Sequence, residues 1–245
     1  MVCQDAAVTA PTPVAVPCDI GTMNMHVWVP EAGSGPGLVL IQEIFGVGAY
    51  IRAVGERLAA AGYVVGAPDV FWRFAPGWEQ DHDEAGLTAS FEAVGKLDMG
   101  SAVADCVGAV STLGELDTVS GRPGVIGFCL GGTLAWAVAA NDDPSVCVSY
   151  YGSGVPSMID QIDNVSCPTL FHFGGADDFI PNDGVDAVGA ALAGRPGFVL
   201  NVEAAGHAFD NHESAMFYNE SAAKAAWSKT MAFLSEHLPV DTSTA

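Results

Sequence analysis

Between positions 125 and 140 the chain reads VIGFCLGGTLAWAVAA, a short β-branched run, then Gly-Phe-Cys-Leu-Gly-Gly, then an alanine-rich segment. A strand that passes into a helix with no linker must turn within a residue or two. Glycines two before and two after Cys129 allow that turn, which is the sharp elbow that displays a nucleophile. Serine usually holds the central position, so the question is whether Cys129 is a nucleophile or a small buried residue of the core.

The pattern around the elbow fixes its setting. PVAVPCDIGTMNMHVWVPEAG predicts two strands with a turn near Gly21, and GPGLVLIQEIFG a buried strand that ends in a loop. Helix is predicted at about 49 to 61, then a strand in GYVVGAPDVF, helical segments between about 83 and 117, the strand PGVIGF and a helix from about 130. Further strands lie in VCVSYYG, PTLFHFGG and FVLNVE, with a helix near 182 to 193 and a long C-terminal helix from about 213 to 237. Strands alternating with helices predict an α/β fold with a mostly parallel central sheet covered by helices on both faces. The 245 residues, 50% hydrophobic, suffice for one core, so a single domain over 1–245 is expected, frayed at about 1–12 and 239–245.

Ligand sites in such sheets lie beyond the carboxyl ends of the strands. PTLFHFGG runs into ADDFIP, which sets Asp177 and Asp178 there, and FVLNVE runs into AAGHAFDNH, which sets His207 there. Nucleophile, acid and histidine follow in the chain order of α/β-hydrolases. A histidine must take the thiol proton and return it to the leaving group, while a carboxylate fixes its tautomer. A helix N-terminus also favours a thiolate at Cys129. Glu43 directly follows a buried strand among apolar neighbours. The backbone N–H groups of Ile44 and Leu130 are the candidate oxyanion-hole donors.

Four motifs, QEIFG, GFCLGG, HFGGADDFIP and AGHAF, together resemble those of the dienelactone hydrolases, from about residue 17 to about 238. The resemblance implies Cys129 as nucleophile, His207 as base and Asp177 rather than Asp178 as acid. Glu43 would be a carboxylate that contacts the thiol and helps to activate it. VFWRFAPG is similar to a family loop and makes Arg73 a candidate substrate contact. Members of the family hold a substrate carboxylate with an arginine and a tyrosine before DMG and an arginine four residues after the histidine; Leu87, Phe91 and Asn211 stand at those places here. A less anionic substrate than dienelactone is therefore expected, in a pocket lined by Phe71, Trp72, Phe74, Trp78, Phe91 and Phe209.

Charge narrows the partners. With 29 acidic and 8 basic residues the formal charge is -21, a field that repels phosphate backbones and anionic membranes. Nucleic-acid and membrane partners are not expected. Cysteines at 3, 18, 106, 129, 147 and 167 show neither CxxC spacing nor the density of a disulfide scaffold. MVCQDAAVTAPTPV has no basic or apolar signal region, so a cytoplasmic monomer is expected. His207, His212 and Glu213 lack metal-ligand spacing, and no phosphate loop follows GFCLGG, so neither metal nor cofactor is expected. The expected activity is cleavage of a small-molecule lactone or ester through an acyl-cysteine. The rival is a catalytically weak ligand-binding or thiol-redox protein on the same fold, because a carboxylate beside a thiol blunts it.

Overall fold

The computed structural model describes residues 10–241. Its centre is one eight-stranded sheet: β1 (Thr12–Cys18), β2 (Gly21–Trp28), β3 (Gly35–Ile41), β4 (Val64–Pro68), β5 (Val119–Phe128), β6 (Cys147–Tyr150), β7 (Thr169–Gly174) and β8 (Phe198–Glu203), in the order β1-β2-β4-β3-β5-β6-β7-β8. The β1–β2 and β2–β4 pairs are antiparallel, and all later pairs are parallel. The parallel strands β4, β6 and β7 are buried along their whole length, as a sheet covered on both faces requires. The chain passes from β3 to β4 on one side and then to β5 on the other. That reversal is where an open α/β sheet leaves a crevice.

The helices are α1 (Ala49–Ala60), α2 (Glu84–Val94), α3 (Met99–Gly114), α4 (Leu130–Asn141), α5 (Asn182–Leu192) and α6 (Glu220–His237). α1 buries Tyr50, Ile51, Val54 and Leu58, the three-to-four spacing of one helical face. Asp83 and Asp98 cap α2 and α3 by accepting hydrogen bonds from the N–H groups of Gly86 and Ser101. α4 is buried continuously from Leu130 to Ala139 and is apolar all round, as a helix at the centre of the molecule must be. Its first turn lies so near the sheet that a Cβ on Gly131 would collide with the carbonyl of Ile41, and one on Gly127 with that of Gly131.

Three features depart from the sequence-based expectations. β5 begins at Val119, and a 3₁₀ segment at Val155–Asn164 follows β6 with no strong sequence signal. The C-terminal helix starts at Glu220 rather than near 213, because the Asn211 side chain accepts from the Glu213 N–H in an Asx turn, and Asn219 supplies the cap by accepting from Ala222 N–H. Turns therefore fill residues 211–218, and they bring Phe217 to the site. Of the termini expected to fray, 1–9 and 242–245 lie outside the described residues, as does Cys3. Thr12 already pairs with Val27, and Val240 packs on the core. The five cysteines among the described residues are free thiols, and no described helix is long and apolar enough to cross a membrane.

Candidate active site

Four strand ends converge. Glu43 follows β3, Cys129 follows β5, Asp177 follows β7 and His207 follows β8. Cys129 stands at the N-cap of α4 with φ 54° and ψ -115°, a conformation that costs a non-glycine residue about 1–3 kcal/mol and needs a rigid surround. Among the described residues only Cys129, Tyr151 and Ala208 have positive φ outside glycine, and all three border this site.

His207 Nε2 lies 3.2 Å from Cys129 Sγ, and His207 Nδ1 lies 2.7 Å from Asp177 Oδ2. Asp177 is held in turn, because its Oδ1 accepts from the N–H groups of Phe179 at 2.8 Å and Ile180 at 3.1 Å. Asp178, its neighbour, is exposed. Burial disfavours charge on His207, yet its interactions with Cys129 Sγ and the Asp177 carboxylate outweigh it and raise the imidazole to about 10. The arrangement favours an imidazolium facing sulfur.

Glu43 is 1% exposed. Its Oε2 accepts from Asn211 Nδ2 at 2.6 Å and its Oε1 from Tyr151 OH at 3.3 Å. Burial pushes this carboxyl up to about 7, against the opposing pull of His207, Asn211 and Tyr151. Asn211 thus holds Glu43 and is not among the residues lining the cavity.

The cavity over Sγ has a volume of about 250 Å³. Ile44 and Leu130 line it, and Leu130, as the first residue of α4, has an N–H with no acceptor inside the helix. Leu87 and Phe91 of α2 form one wall, and Phe179 and Phe217 stand among the other lining residues. Phe91 and Phe179 are 48% and 45% exposed at the cavity, so its rim is apolar too. No lysine or arginine is among the lining residues.

Arg73 is not brought to the site. Its Nε and Nη2 each lie 2.8 Å from the buried Asp105 carboxylate, which also accepts from Trp72 Nε1, and Nη2 pairs with Asp19 as well. A buried carboxylate needs such a fork, and the guanidinium is spent on it. Phe71, Trp72, Phe74, Trp78 and Phe209 also lie outside the cavity lining, in or against the core. Phe45, Phe179 and Phe217 take their place. Tyr151 is the polar contact that sequence reasoning missed, although it stands just past the end of β6, where the strand-end rule would have found it. Replacing Arg73 with alanine is expected to leave kcat/KM within about twofold for neutral and anionic substrates alike, while lowering stability by about 2–3 kcal/mol as Asp105 loses its partner. Parallel kinetics and chemical denaturation check this.

An eight-stranded, mostly parallel sheet with an elbow thiol, a carboxylate and a histidine at the ends of β5, β7 and β8 defines the α/β-hydrolase class. The profile of the dienelactone hydrolase family matches residues 23–238. The chain belongs to the dienelactone hydrolase family. A carboxymethylenebutenolidase of Pseudomonas sp. (strain P51) is 33% identical over 223 residues, which cover 91% of this chain and 93% of that protein. Another, from Rhodococcus opacus, is 32% identical over 228 residues, 86% of this chain and 84% of that one. A crystal structure from Klebsiella pneumoniae subsp. pneumoniae MGH 78578, described as a candidate dienelactone hydrolase, matches with a TM-score of 0.81 at 28% identity and covers 94% of this chain and 99% of that one.

Proposed function

We propose that this hydrolase cleaves a neutral, largely apolar lactone or carboxylic ester through an acyl-cysteine intermediate on Cys129. The observation that carries the reading is the contact of Cys129 Sγ with His207 Nε2 at the floor of a cavity lined by neither lysine nor arginine. Sulfur attacks the carbonyl carbon, and the oxygen that becomes negative is received by the N–H groups of Ile44 and Leu130. As the tetrahedral species collapses, His207 gives its Nε2 proton to the leaving alkoxide and the acyl group stays on sulfur. A water molecule then loses a proton to His207 and attacks the thioester. Collapse of the second tetrahedral species releases the carboxylic acid and returns the sulfur to its pairing with the imidazolium. Asp177 holds Nδ1 throughout, and Glu43 lines the same cavity as the reacting thiol.

The substrate part of the reading follows from what the walls lack. A half-buried carboxylate needs a cation, and losing one partner of such a pair costs on the order of two to three powers of ten in affinity. With Leu87, Phe91 and Asn211 where the family presents anchors, and Arg73 committed elsewhere, no lysine or arginine here meets a substrate carboxylate away from the triad. A matched pair tests this: one lactone with a free carboxylate and the same lactone as its methyl ester. The ester is expected to show a roughly ten- to hundredfold higher kcat/KM at low salt, and the gap is expected to narrow as salt screens the negative protein. Preference for the free acid at low salt would refute the apolar-substrate reading. An acyl adduct on Cys129 after p-nitrophenyl acetate supports the hydrolytic reading, whereas reversible oxidation of that thiol by peroxide without turnover would favour a redox protein.

A further inference from the structure

Behind the cavity a second carboxyl is buried with the first. Asp210, in the loop that carries His207, is 4% exposed and does not line the cavity. Its Oδ2 accepts from Tyr50 OH at 2.8 Å, while its Oδ1 is buried with no hydrogen-bond partner. Tyr50 OH lies 3.4 Å from Tyr151 OH, and Tyr151 OH donates to Glu43 Oε1 at 3.3 Å. Four oxygens thus form an unbroken line from the cavity into the protein: Glu43, Tyr151, Tyr50, Asp210.

That line has three oxygen-to-oxygen contacts and two phenol protons. With both carboxyls ionised, each phenol donates outward and the two phenol oxygens meet lone pair to lone pair. One more proton, on either carboxyl, completes all three contacts. On Glu43, it makes Glu43 donate to Tyr151, Tyr151 to Tyr50 and Tyr50 to Asp210; on Asp210, every donation reverses.

We propose that Glu43 and Asp210 share one proton through Tyr151 and Tyr50, which makes Asp210 a positioning residue for the charge on Glu43. The transfer balances. The Glu43 proton passes to the Tyr151 oxygen, that of Tyr151 to the Tyr50 oxygen and that of Tyr50 to Asp210 Oδ2, so one carboxylate and one carboxylic acid exchange places. A proton that reaches Glu43 from the thiol side can be stored on Asp210 without water entering the core. This use of the relay rests on the reading of Glu43 as the neighbour of the reacting thiol.

The surroundings agree with a single shared proton. Burial first, and then the carboxyl charges, hold both phenols well above their ordinary range, so their protons stay in place. Burial raises Asp210 and Glu43 alike. Arg57 of α1 and His212 oppose the rise at Asp210, as His207 and Asn211 do at Glu43; Tyr150 at the end of β6 also faces Asp210.

Infrared titration of the protonated carboxyl C=O stretch, with ¹³C-labelled aspartate to separate the two residue types, tests the sharing above pH 6, where surface carboxyls are ionised. The wild-type band is expected to contain both a glutamate and an aspartate component. In Asp210→Asn the amide supplies the missing hydrogen, so Glu43 should ionise fully and its midpoint fall by one pH unit or more, with the fold verified by circular dichroism. A Glu43 midpoint unmoved in this variant would overturn the proposal. Should Asp210→Asn fail to fold, Tyr50→Phe removes the relay oxygen but keeps the ring; Asp210, without its donor, then keeps a proton of its own, and a Glu43 midpoint that moves as the two carboxyls titrate independently supports the sharing, whereas an unmoved one overturns it. Alkylation of Cys129 by iodoacetamide over the same pH range separates the two layers. If the infrared midpoint moves and alkylation does not, the sharing stands and the reading of Glu43 as a neighbour of the thiol fails.

Discussion

Cys129→Ala and His207→Ala are each expected to lower kcat/KM by roughly four to six orders of magnitude, with the double variant no worse than the weaker single one. In the proposed mechanism sulfur and imidazole act as one unit. At 3.2 Å from Sγ, His207 Nε2 has no other use in the reaction once the thiol is gone, and the thiol has no proton acceptor of matching geometry once the imidazole is gone. Asp177→Asn should cost about four orders of magnitude, because the amide would present a donor to Nδ1 and reverse the tautomer. Asp178→Asn should be mild, since that side chain is exposed and makes no contact with His207. Steady-state kinetics on the single and double variants, with circular dichroism to verify the fold, checks the set. Full activity in Cys129→Ala, or losses that multiply in the double variant, would contradict the triad.

Glu43→Gln is expected to stabilise the protein, and to do so more strongly at pH 8 than at pH 5. Glu43 has an ordinary value of 4.5 that the fold raises to about 7. A carboxyl whose value is raised on folding binds its proton more tightly in the native state. Below 4.5 it is protonated in both states and carries no penalty; as pH rises from 4.5 through 7 the unfolded chain ionises first and stability is lost. About 2.5 units corresponds to roughly 3 kcal/mol, an upper bound on what the neutral amide recovers at pH 8. The amide also fits the site, since its oxygen can accept from Asn211 and its nitrogen can donate to Tyr151. Turnover should nevertheless fall, and Cys129 should react faster with iodoacetamide near neutral pH as a like charge is removed. Denaturant melts of both proteins at pH 5 and pH 8 measure the effect. An advantage that is the same at both pH values would show that Glu43 ionises normally in the fold.

Much of this molecule could be read from local pattern. Continuous apolar runs such as GLVLI and PTLFHFGG are strands because a buried parallel strand tolerates no polar face, and the alternation with helices left one sheet architecture open. The positions of Cys129, Asp177, His207 and Glu43 at strand ends were legible for a related reason. Each lies one to four residues past the end of its strand, so its place in space follows once the strand is placed. Gly127 and Gly131 betray the elbow because only a residue without Cβ lets α4 begin so close to β3. The start of the C-terminal helix is not legible in the periodicity, because an Asx turn at Asn211 competes with helix over a handful of residues.

What the tertiary structure alone decided is which distant groups meet. Arg73 lies 32 positions from Asp105, and only the packing of α3 against the loop after β4 spends that guanidinium on a buried carboxylate instead of a substrate. The cavity aromatics follow the same logic. Phe71 and Phe209 are as apolar as Phe179 and Phe217, but the folding of the 211–218 turns and the loop after β7 determines which of them face the thiol. The line from Glu43 through Tyr151 and Tyr50 to Asp210 joins residues 108, 101 and 160 positions apart. Sequence determines a residue's chemistry and the element it rides on, because both arise from interactions within a few residues. Which charges are neutralised, and which proton two acids share, arises from contacts across the sheet, and those exist only once the chain has closed on itself.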